Sequence, residues 1–343
     1  MPAAPDETTA RLGAGGDEVR YDVVGMGNAL VDVIAHASDG FLDDQGLVKG
    51  SMTLIETERA VELYGALDGA VEMSGGSAAN TVCGIASFGG VAAYVGKVDS
   101  DDLGRVFGHD MRAVGVAFRG GRDRQDLPTG RCVIVVTPDA ERTMNTYLGV
   151  SSTLSVDDVD DDVVASSAVL YMEGYLFDRD EAKAAFRHAA DVSHRHGRTV
   201  SLTLSDSFCV ERHRDDFRAL VAESVDLLFG NEDELRALYS TDSFDEAVDR
   251  LRSECSLAVV TRGPQGCVIV TADETVPVEA VPVDEVIDTT GAGDLFAAGF
   301  LHGFTTGRDL VTCARLGSVA AAEVIGHVGP RPLVELHTLA GHV

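Results

Sequence analysis

The chain has 343 residues, enough for about two ordinary domains or for one large α/β domain with an insertion. Hydrophobic residues make up 45% and charged residues 24%, a globular composition that excludes a disordered chain and a small disulfide scaffold. Asp and Glu total 56 against 27 Lys and Arg, so the net charge is −29. A surface this acidic repels phosphate backbones and anionic lipids, which argues against nucleic acid or membrane partners.

The acidic balance is also uneven in residue type, with 36 Asp and 20 Glu against 24 Arg and only 3 Lys. A genome rich in G and C accounts for the preference of Arg over Lys but less well for the surplus of Asp. Adaptation to high salt, where mobile ions screen the repulsion, accounts for both. Composition leaves these two explanations open.

The predicted elements begin with an N-terminal tail at 1–19, which is rich in Ala, Gly, Thr and acids and has no apolar signal-peptide stretch. The following residues predict, in chain order, a strand at 20–27, helices at 58–67 and 77–88, a strand at 91–95 and a helix at 101–114. Two alternating runs at 131–137 and 143–148 then flank a turn at 138–140, which predicts a β-hairpin.

After this hairpin, strands and helices alternate regularly to the end of the chain. We expect strands at 168–172, 199–204, 225–229, 257–261, 267–271 and 275–281. We expect helices at 179–196, 211–224, 233–239, 244–254, 293–304 and 309–324. Such alternation indicates an α/β fold with a doubly wound, mostly parallel central sheet covered by helices on both faces.

The six cysteines lie far apart and contain no C-x-x-C pair or zinc spacing. They predict reduced, buried thiols in a cytoplasmic protein. The uncharged stretch 73–96 contains six Gly and three Ser, so it is too polar for a helix in lipid.

The strongest chemical signal is the segment Asp288-Thr289-Thr290-Gly291-Ala292-Gly293-Asp294. Small residues at a helix start leave backbone N–H groups uncovered, and those groups bind an anion together with the helix dipole. A base that takes a proton from a hydroxyl attacking a phosphate would suit Asp294, on the first turn of this helix. The alternative is that Asp294 complements the helix dipole and the glycines form a turn, and the segment by itself leaves both open.

Two stretches resemble the signatures of the ribokinase-like (PfkB) carbohydrate and nucleoside kinases. DTTGAGDLFAAGF at 288–300 is similar to the C-terminal signature of this family, and GGSAANTVCGIASFGG at 75–90 to its N-terminal signature. They stand in the expected order, about 210 residues apart, and the resemblance covers residues 20–332.

The resemblance implies roles for the residues that react with phosphate. Asp294 matches the catalytic base, and the N–H groups of Gly291, Ala292 and Gly293 match the anion hole. Arg142 matches an Arg that the lid of adenosine kinases places near the transferring phosphate. A surface Arg on a hairpin is the alternative for Arg142.

The resemblance also implies a nucleotide site for ATP and Mg²⁺. Asn231 and Glu234 match the N-x-x-E motif that organises Mg²⁺ and phosphate, although the same residues also suit a plain helix cap. Thr261, Gly263 and Gly266 match the turn of the family that lies under the ATP. The same residues could equally form a simple β-turn. Positions that bind a monovalent cation, K⁺, in some members of the family are matched by Asp288 and Thr290.

At the substrate end, the chain is similar to adenosine kinases in its G-N-x-x-x-D opening, which contains Asn28 and Asp32. The resemblance implies that Asp32 accepts hydrogen bonds from ribose hydroxyls. Gly75 and Gly76 permit a close approach of backbone to sugar, and Asn80 offers a donor and an acceptor to the same hydroxyls. Without the resemblance, Asp32 could be a solvated loop residue.

Together these matches predict a ribokinase-like kinase domain at 20–343 with a β lid built from 34–56 and 116–150. The expected activity is ATP-dependent phosphorylation of the 5′-hydroxyl of a purine nucleoside, adenosine first, by a monomer or homodimer. A kinase of another nucleoside or of a free sugar such as ribose or fructose is the first alternative. A binding protein that has lost catalysis is the second, and the intact Asp294, Asn231 and Glu234 argue against it.

Overall fold

Two β-sheets of unequal size organise the structure, a computed structural model that describes residues 11–12, 18–122, 127–139 and 141–341. The larger one, the main sheet, has nine strands. In order across the sheet they are Thr275–Val278, Cys267–Thr271, Leu257–Thr261, Leu227–Asn231, Thr199–Thr203, Ser167–Glu173, Tyr21–Met26, Ala92–Val95 and Ala117–Phe118. Cys267–Thr271 is antiparallel to both neighbours, and all the other pairs are parallel, as the sequence predicts.

Strand residues of the main sheet alternate between two hydrophobic cores, one on each face of the sheet. Val23 and Val169 are buried in one core, and their neighbours Val24 and Leu170 are buried in the other. Successive side chains of a strand point to opposite faces, so a strand covered on both faces reads as a continuous apolar run. This explains why short apolar runs, rather than alternating ones, predicted these strands.

Helices cover both faces of the main sheet. They span Asp39–Gln45, Thr57–Gly65, Ser77–Ser87, Asp102–Ala113, Asp161–Ala165, Asp180–Arg195, Ser207–Arg212, Arg214–Ser224, Glu232–Tyr239, Phe244–Glu254, Ala292–Thr305, Leu310–Val324 and His337–Ala340. Short 3₁₀ turns lie at Gly149–Thr153, Val156–Asp158, Gly174–Asp178 and Gly263–Gln265. Many helices begin after a side chain that accepts a hydrogen bond from the first turn, as Ser38, Asp101, Asp160, Asp206, Asn231, Ser243 and Asp309 do.

The connections of the main sheet change direction beside Tyr21–Met26. From this strand the chain continues to Ala92–Val95 on one side, and it later returns to Ser167–Glu173 on the other. In doubly wound folds a ligand crevice forms outside the carboxyl ends of the strands at such a point. The fold therefore places a crevice beyond Met26 and Glu173.

The second sheet has five strands, in the order Met52–Leu54, Arg142–Tyr147, Gly130–Val136, Leu30–His36 and Val71–Gly75. It contains the predicted hairpin, whose strands pair Arg131 with Tyr147. The predicted lid at 34–56 and 116–150 had different bounds, because this sheet starts at Leu30 and also takes in Val71–Gly75. Only three residues separate Leu30 from the main-sheet strand Tyr21–Met26, so the two strands follow each other closely along the chain.

Smaller features complete the described residues. Ala117–Phe118, which the sequence assigned to the lid, pairs in the main sheet, and Lys97–Val98 pairs with Gly121–Arg122. Of the predicted tail, Arg11–Leu12 pairs with Glu18–Val19, and residues 1–10 and 13–17 lie outside the described residues. The turn at 138–140 lies within the described residues except for position 140. All six cysteines are buried and unbridged, as predicted. None of the helices in the described ranges combines the length and apolar character that a bilayer crossing needs.

Candidate active site

The helix Ala292–Thr305 begins at the carboxyl edge of the main sheet with an open N-terminus. Its N-cap residue Gly291 has φ 80°, a conformation that favours glycine, and within the described residues no side chain caps the first turn. A Cβ on Gly293 would meet nothing within 4 Å. The Ala292 amide lies 3.2 Å from the Thr289 carbonyl oxygen, so it already has a backbone partner. The open turn suits an anion, as the glycines predict.

The carboxylate of Asp294, in the first turn of this helix, is bound by two side chains of the helix Ser77–Ser87. Ser77 Oγ donates to Oδ1 at 2.6 Å, and Asn80 Nδ2 donates to Oδ2 at 2.9 Å. Burial raises the pKa of Asp294, and these two hydrogen bonds and the charge of Arg331 oppose the rise. Asp294 is therefore fixed in position with a proton affinity above that of an ordinary Asp.

Asn80 thus contacts the predicted base rather than only a substrate. Its Oδ1 atom is buried and has no hydrogen-bond partner among the described residues. A buried acceptor without a donor is costly, so this atom is free to bind a hydroxyl that enters the crevice. The two helices approach closely because Gly84 faces Ala298, where a Cβ would lie 2.6 Å from the Ala298 Cβ.

Glu173 lies at the end of its strand, where the sheet connections change direction, and ties three segments together. It is 1% exposed. Its Oε1 accepts from the Asn28 amide at 3.2 Å and from Asn28 Nδ2 at 3.0 Å, and Oε2 accepts from the Ala78 amide at 2.8 Å. Burial raises the pKa of Glu173 to about 7 despite these donors. Asn28 Oδ1 accepts from Ser151 Oγ at 3.0 Å, so the Asn28 side chain, predicted to bind substrate, is occupied within the protein.

Asp32 lies in the second sheet against the glycine pair of the N-terminal signature. A Cβ on Gly75 would stand 2.5 Å from the Asp32 carboxylate, and Gly76, at φ 101°, would place one 2.3 Å from the Asn28 carbonyl oxygen. Asp32 is 8% exposed, and its carboxylate accepts no hydrogen bond from the described residues. Burial raises its pKa to about 6, and the charges of Arg331 and Arg142 oppose the rise. Asp32 is thus a buried acceptor that lacks a donor.

Arg142 connects the second sheet to the segment before the helix Ala292–Thr305. Its Nη1 atom donates to Asp288 Oδ2 and, at 2.8 Å, to Thr290 Oγ1. The Arg142 and Asp288 side chains are only 11% and 7% exposed. The Nε and Nη2 atoms of Arg142 are buried and have no partner among the described residues. They can therefore donate to an anion.

The residues predicted to bind K⁺ do not fit that ion in this arrangement. Asp288 Oδ1 accepts from the Thr290 amide at 3.0 Å and from Thr290 Oγ1 at 2.6 Å. Asp288 Oδ2 accepts from the Gly329 amide at 2.9 Å and from Arg142. A carboxylate has about four acceptor positions, and all of them are taken.

The predicted nucleotide residues meet at the carboxyl ends of two neighbouring strands. Asn231 pairs with Thr261 in the sheet register. Asn231 and Glu234 form the helix cap that the sequence offered as one interpretation: Asn231 Oδ1 accepts from the Glu234 amide at 2.8 Å, and Glu234 Oε2 accepts from the Asn231 amide at 2.9 Å.

Gly263 and Gly266 form the turn that follows Thr261. Their φ angles are 55° and 84°, and a Cβ on Gly266 would stand 2.1 Å from the Val278 carbonyl oxygen. The turn joins two antiparallel strands, as the simple-turn interpretation predicts, and its role under the ATP stays a prediction. It stands beside Asn231 and Thr261 at the same edge of the sheet.

Three residues at the site were not predicted: Ser77, Glu173 and Arg331. Arg331 Nη2 donates to the Ser74 carbonyl oxygen at 2.9 Å, and its charge lowers the pKa of both Asp32 and Asp294. Arg331 stands in the GPRP stretch at 329–332, and Ser77 follows the glycine pair, so both were next to recognisable sequence. Glu173 has no local signal beyond its place at a strand end.

Comparison with known proteins identifies the family of the chain. The sequence model described as "pfkB family carbohydrate kinase" matches residues 48–336, more than half of the chain. The protein belongs to this family. The predicted ribokinase-like fold and the predicted family are thus confirmed.

Two solved structures and one curated relative show how near other pfkB kinases are. A structure described as adenosine kinase from Sinorhizobium meliloti is 52% identical, with TM-score 0.86, over 94% of this chain and 99% of that one. A probable sugar kinase from Rhizobium etli is 48% identical, with TM-score 0.87, over 94% of this chain and 98% of that one. The adenosine kinase of Saccharomyces cerevisiae is 26% identical over 332 residues, 90% of this chain and 96% of its own.

Membership of the pfkB family makes the protein a phosphotransferase that acts on hydroxyl groups, and ATP binding follows from kinase activity. Such a transfer requires a base, an anion hole and cationic donors. The open helix N-terminus, Asp294 and the Arg142 donors have the chemistry for these parts, and their roles stay predictions.

A divalent cation fits the acidic residues of this pfkB kinase. Glu234 is buried, and its pKa is raised to about 7 by burial and by the charges of Asp206, Asp233 and Asp294. A cation among these carboxylates relieves their mutual repulsion. Within the described ranges no group of three His, Cys, Asp or Glu forms a metal site by itself. Mg²⁺ is typical of the kinase family, and it binds one or two carboxylates together with nucleotide phosphates and water.

Proposed function

We propose that this kinase transfers the γ-phosphoryl group of ATP to the 5′-hydroxyl of a purine nucleoside, with adenosine as its preferred substrate. The observation that carries the proposal is the placement of two carboxylates at the ends of one short stretch, Gly75–Asn80. Asp32 faces Gly75, and Asp294 is bound by Ser77 and Asn80. A ribose has a diol on one side, which would bind Asp32, and a primary hydroxyl on the other, which would lie at Asp294.

Asp32 is suited to hold the diol because it is a buried carboxylate with no donor among the described residues. Two hydroxyls of a ribose would each donate to it, and hydrogen bonds to an ionised acceptor are about twice as strong as neutral ones. Asn80 Oδ1, the buried acceptor without a partner, can accept from a further hydroxyl. The sugar would then be fixed before the reaction begins.

Asp294 is suited to accept the proton of the attacking hydroxyl. Its raised pKa brings it nearer to the working pH, and Ser77 and Asn80 keep it in position. Arg142 Nε and Nη2 and the first turn of the helix Ala292–Thr305 would donate to the transferring group. Mg²⁺, which Glu234 would hold indirectly, would neutralise phosphate charge when bound.

The proposal extends to the whole molecule. The second sheet acts as a lid that excludes water from the crevice, and the protein works in the cytoplasm as a monomer or homodimer. The similarity to the adenosine kinase structure of S. meliloti, at 52% identity over nearly the whole chain, supports the nucleoside assignment. Light scattering on the purified protein measures the oligomeric state.

A sugar kinase is the second candidate. The probable sugar kinase of R. etli is 48% identical to this chain, almost as similar as the adenosine kinase. Asp32, Asn80 and Gly76 contact hydroxyls in either case and do not recognise a base. Guanosine, inosine and cytidine are alternative substrates, because these three residues do not distinguish one base from another.

A thermal-shift panel followed by product assays tests the assignment. Adenosine, guanosine, inosine, cytidine, ribose and fructose are each added with Mg²⁺ and a non-hydrolysable ATP analogue. We expect the largest rise in Tm with adenosine, and with ATP we expect AMP as the product. Stabilisation and turnover of ribose or fructose, without either for any nucleoside, would overturn the proposal in favour of the sugar kinase.

A further inference from the structure

The charge that balances Asp288 comes from within the chain. Asp288 stands in the segment before the helix Ala292–Thr305, and Arg142 reaches it from the second sheet. The Gly329 amide, from the segment after the helix Leu310–Val324, completes the hydrogen bonds of Oδ2. Three separate parts of the chain therefore meet at one buried carboxylate.

The contacts of the Asp288 carboxylate are those of an ionised acid, because the Thr290 amide and hydroxyl, the Gly329 amide and the Arg142 guanidinium all donate to it. The pair of Asp288 and Arg142 is thus a buried anion and a buried cation in contact. A second cation beside them would face the guanidinium charge in a poorly solvated place, where like charges repel strongly.

We propose that Arg142 is the fixed cation of Asp288, so that phosphoryl transfer by this kinase needs no K⁺ or other diffusible monovalent cation. The guanidinium occupies the carboxylate that a monovalent ion would require, and Thr290 Oγ1 is bound to the same Nη1 atom. The proposal rests on the phosphotransferase activity but not on the identity of the acceptor.

The same side chain keeps two donors for the reaction. Arg142 Nε and Nη2 are buried without partners in the described residues, while Nη1 is committed to Asp288 and Thr290. Because Arg142 belongs to the second sheet, the charge and the two donors reach the crevice together only when that sheet lies over it. A diffusible ion would not link charge to the position of the sheet in this way.

The test compares cations at constant ionic strength, because a chain with a net charge of −29 responds to salt in general. Activity and Tm are measured in KCl, NaCl and N-methylglucamine chloride. For the wild-type kinase we expect kcat/KM values within about twofold of one another and equal Tm values. At least fivefold higher activity in KCl than in N-methylglucamine chloride would overturn the proposal, and this result does not depend on any variant.

Arg142→Gln leaves Asp288 without its cation and sharpens the test. We expect this variant to gain a Tm increase in KCl that N-methylglucamine chloride does not give, together with a residual activity that K⁺ raises. Arg105→Gln is the matched control, since Arg105 forms an exposed pair with Asp102, and we expect it to behave as wild type in all three salts. Equal Tm values for Arg142→Gln in all three salts would show that K⁺ does not take the place of the Arg142 guanidinium, which would contradict the proposal.

If no acceptor is phosphorylated in any salt, the proposed function fails while the Tm comparison still decides the role of Arg142. If adenosine is phosphorylated only in KCl, the fixed-cation proposal fails and the proposed function stands. The two failures are therefore distinguishable.

Discussion

Asp288 and Asp294 stand at the two ends of one seven-residue segment, yet their surroundings are opposite. Burial raises the pKa of Asp294, and its two neutral donors, Ser77 and Asn80, do not offset the rise. Asp288 accepts from a guanidinium and from amides, and its pKa is lowered. The comparison teaches that the partners, rather than the motif, decide which acid can take up a proton and which stays ionised.

The largest loss of activity is expected from the replacement of Asp294, the acid whose pKa is raised. Asp294→Asn keeps the shape but removes the base, and a positioned base contributes about 10²–10⁴-fold to the rate. We expect kcat to fall by at least about a hundredfold, with ATP and nucleoside affinities near normal, measured by steady-state kinetics and calorimetry. Removal of a negative charge near the phosphates also allows slightly tighter nucleotide binding.

Two outcomes would contradict the role of Asp294 as the base. If Asp294→Asn kept most of its kcat while chemistry limits the rate, Asp294 would not be the base. If the variant instead lost nucleotide binding altogether, Asp294 would have the structural role of complementing the helix dipole.

Asp32 extends the comparison to an acid that accepts no hydrogen bond from the residues that the structure describes. Asp32→Ala should weaken nucleoside binding by about a hundredfold, since losing a charged acceptor opposite a diol costs roughly 2–3 kcal/mol. ATP affinity should change little. Isothermal titration with adenosine and with 2′-deoxyadenosine measures both effects, and the deoxynucleoside should bind the wild type more weakly. Unchanged adenosine affinity in the variant would show that the ribose lies elsewhere.

Asp288→Asn probes the other end of the segment. It leaves the Arg142 guanidinium buried without its anion, and breaking a buried pair costs about 3–5 kcal/mol of unfolding free energy. We expect a clear loss of stability in urea unfolding, with kcat reduced by about tenfold, less than for Asp294→Asn. A variant as stable as wild type would mean that the pair contributes nothing to the fold.

Ser77→Ala gives the smallest effect and the most specific one. The Ser77 hydrogen bond favours the ionised form of Asp294, so its loss should raise the pKa of Asp294 further. The acidic limb of the kcat/KM profile should therefore move to higher pH by about 0.5–1 unit, as expected for a hydrogen bond of about 1 kcal/mol.

Thr81→Val is the control for Ser77→Ala. Thr81 Oγ1 donates to the backbone carbonyl of Asp294 at 3.2 Å and does not contact its carboxylate. The acidic limb of the kcat/KM profile of Thr81→Val should stay at the wild-type pH. Equal shifts in both variants would point to a general loosening of the helix contact.

Local sequence predicted most of the fold and the segments that carry the site. The helix cap of Asn231 and Glu234 and the open turn before Asp294 follow from residues at most a few positions apart. Contacts between distant residues were beyond such reasoning. Glu173 binds Asn28 across 145 positions, and Arg142 binds Asp288 across 146.

The second sheet shows the same limit. The hairpin of this sheet was predicted, but Met52–Leu54 and Val71–Gly75 are wholly or partly exposed and lack a strong apolar pattern, so neither their extent nor their pairing could be predicted. Asn80 was placed in the site for its chemistry, but its contact with Asp294 depends on how closely two helices pack around Gly84.

The six buried cysteines make the chain suitable for site-specific labelling. Burial raises the pKa of four of them to about 12, so they stay neutral near pH 8 and are shielded from thiol reagents; these are Cys132, Cys209, Cys267 and Cys313. Val48 is 70% exposed and lies just before the second-sheet strand Met52–Leu54. A fluorophore attached after the single change Val48→Cys would therefore report movement of that sheet without removal of any native thiol.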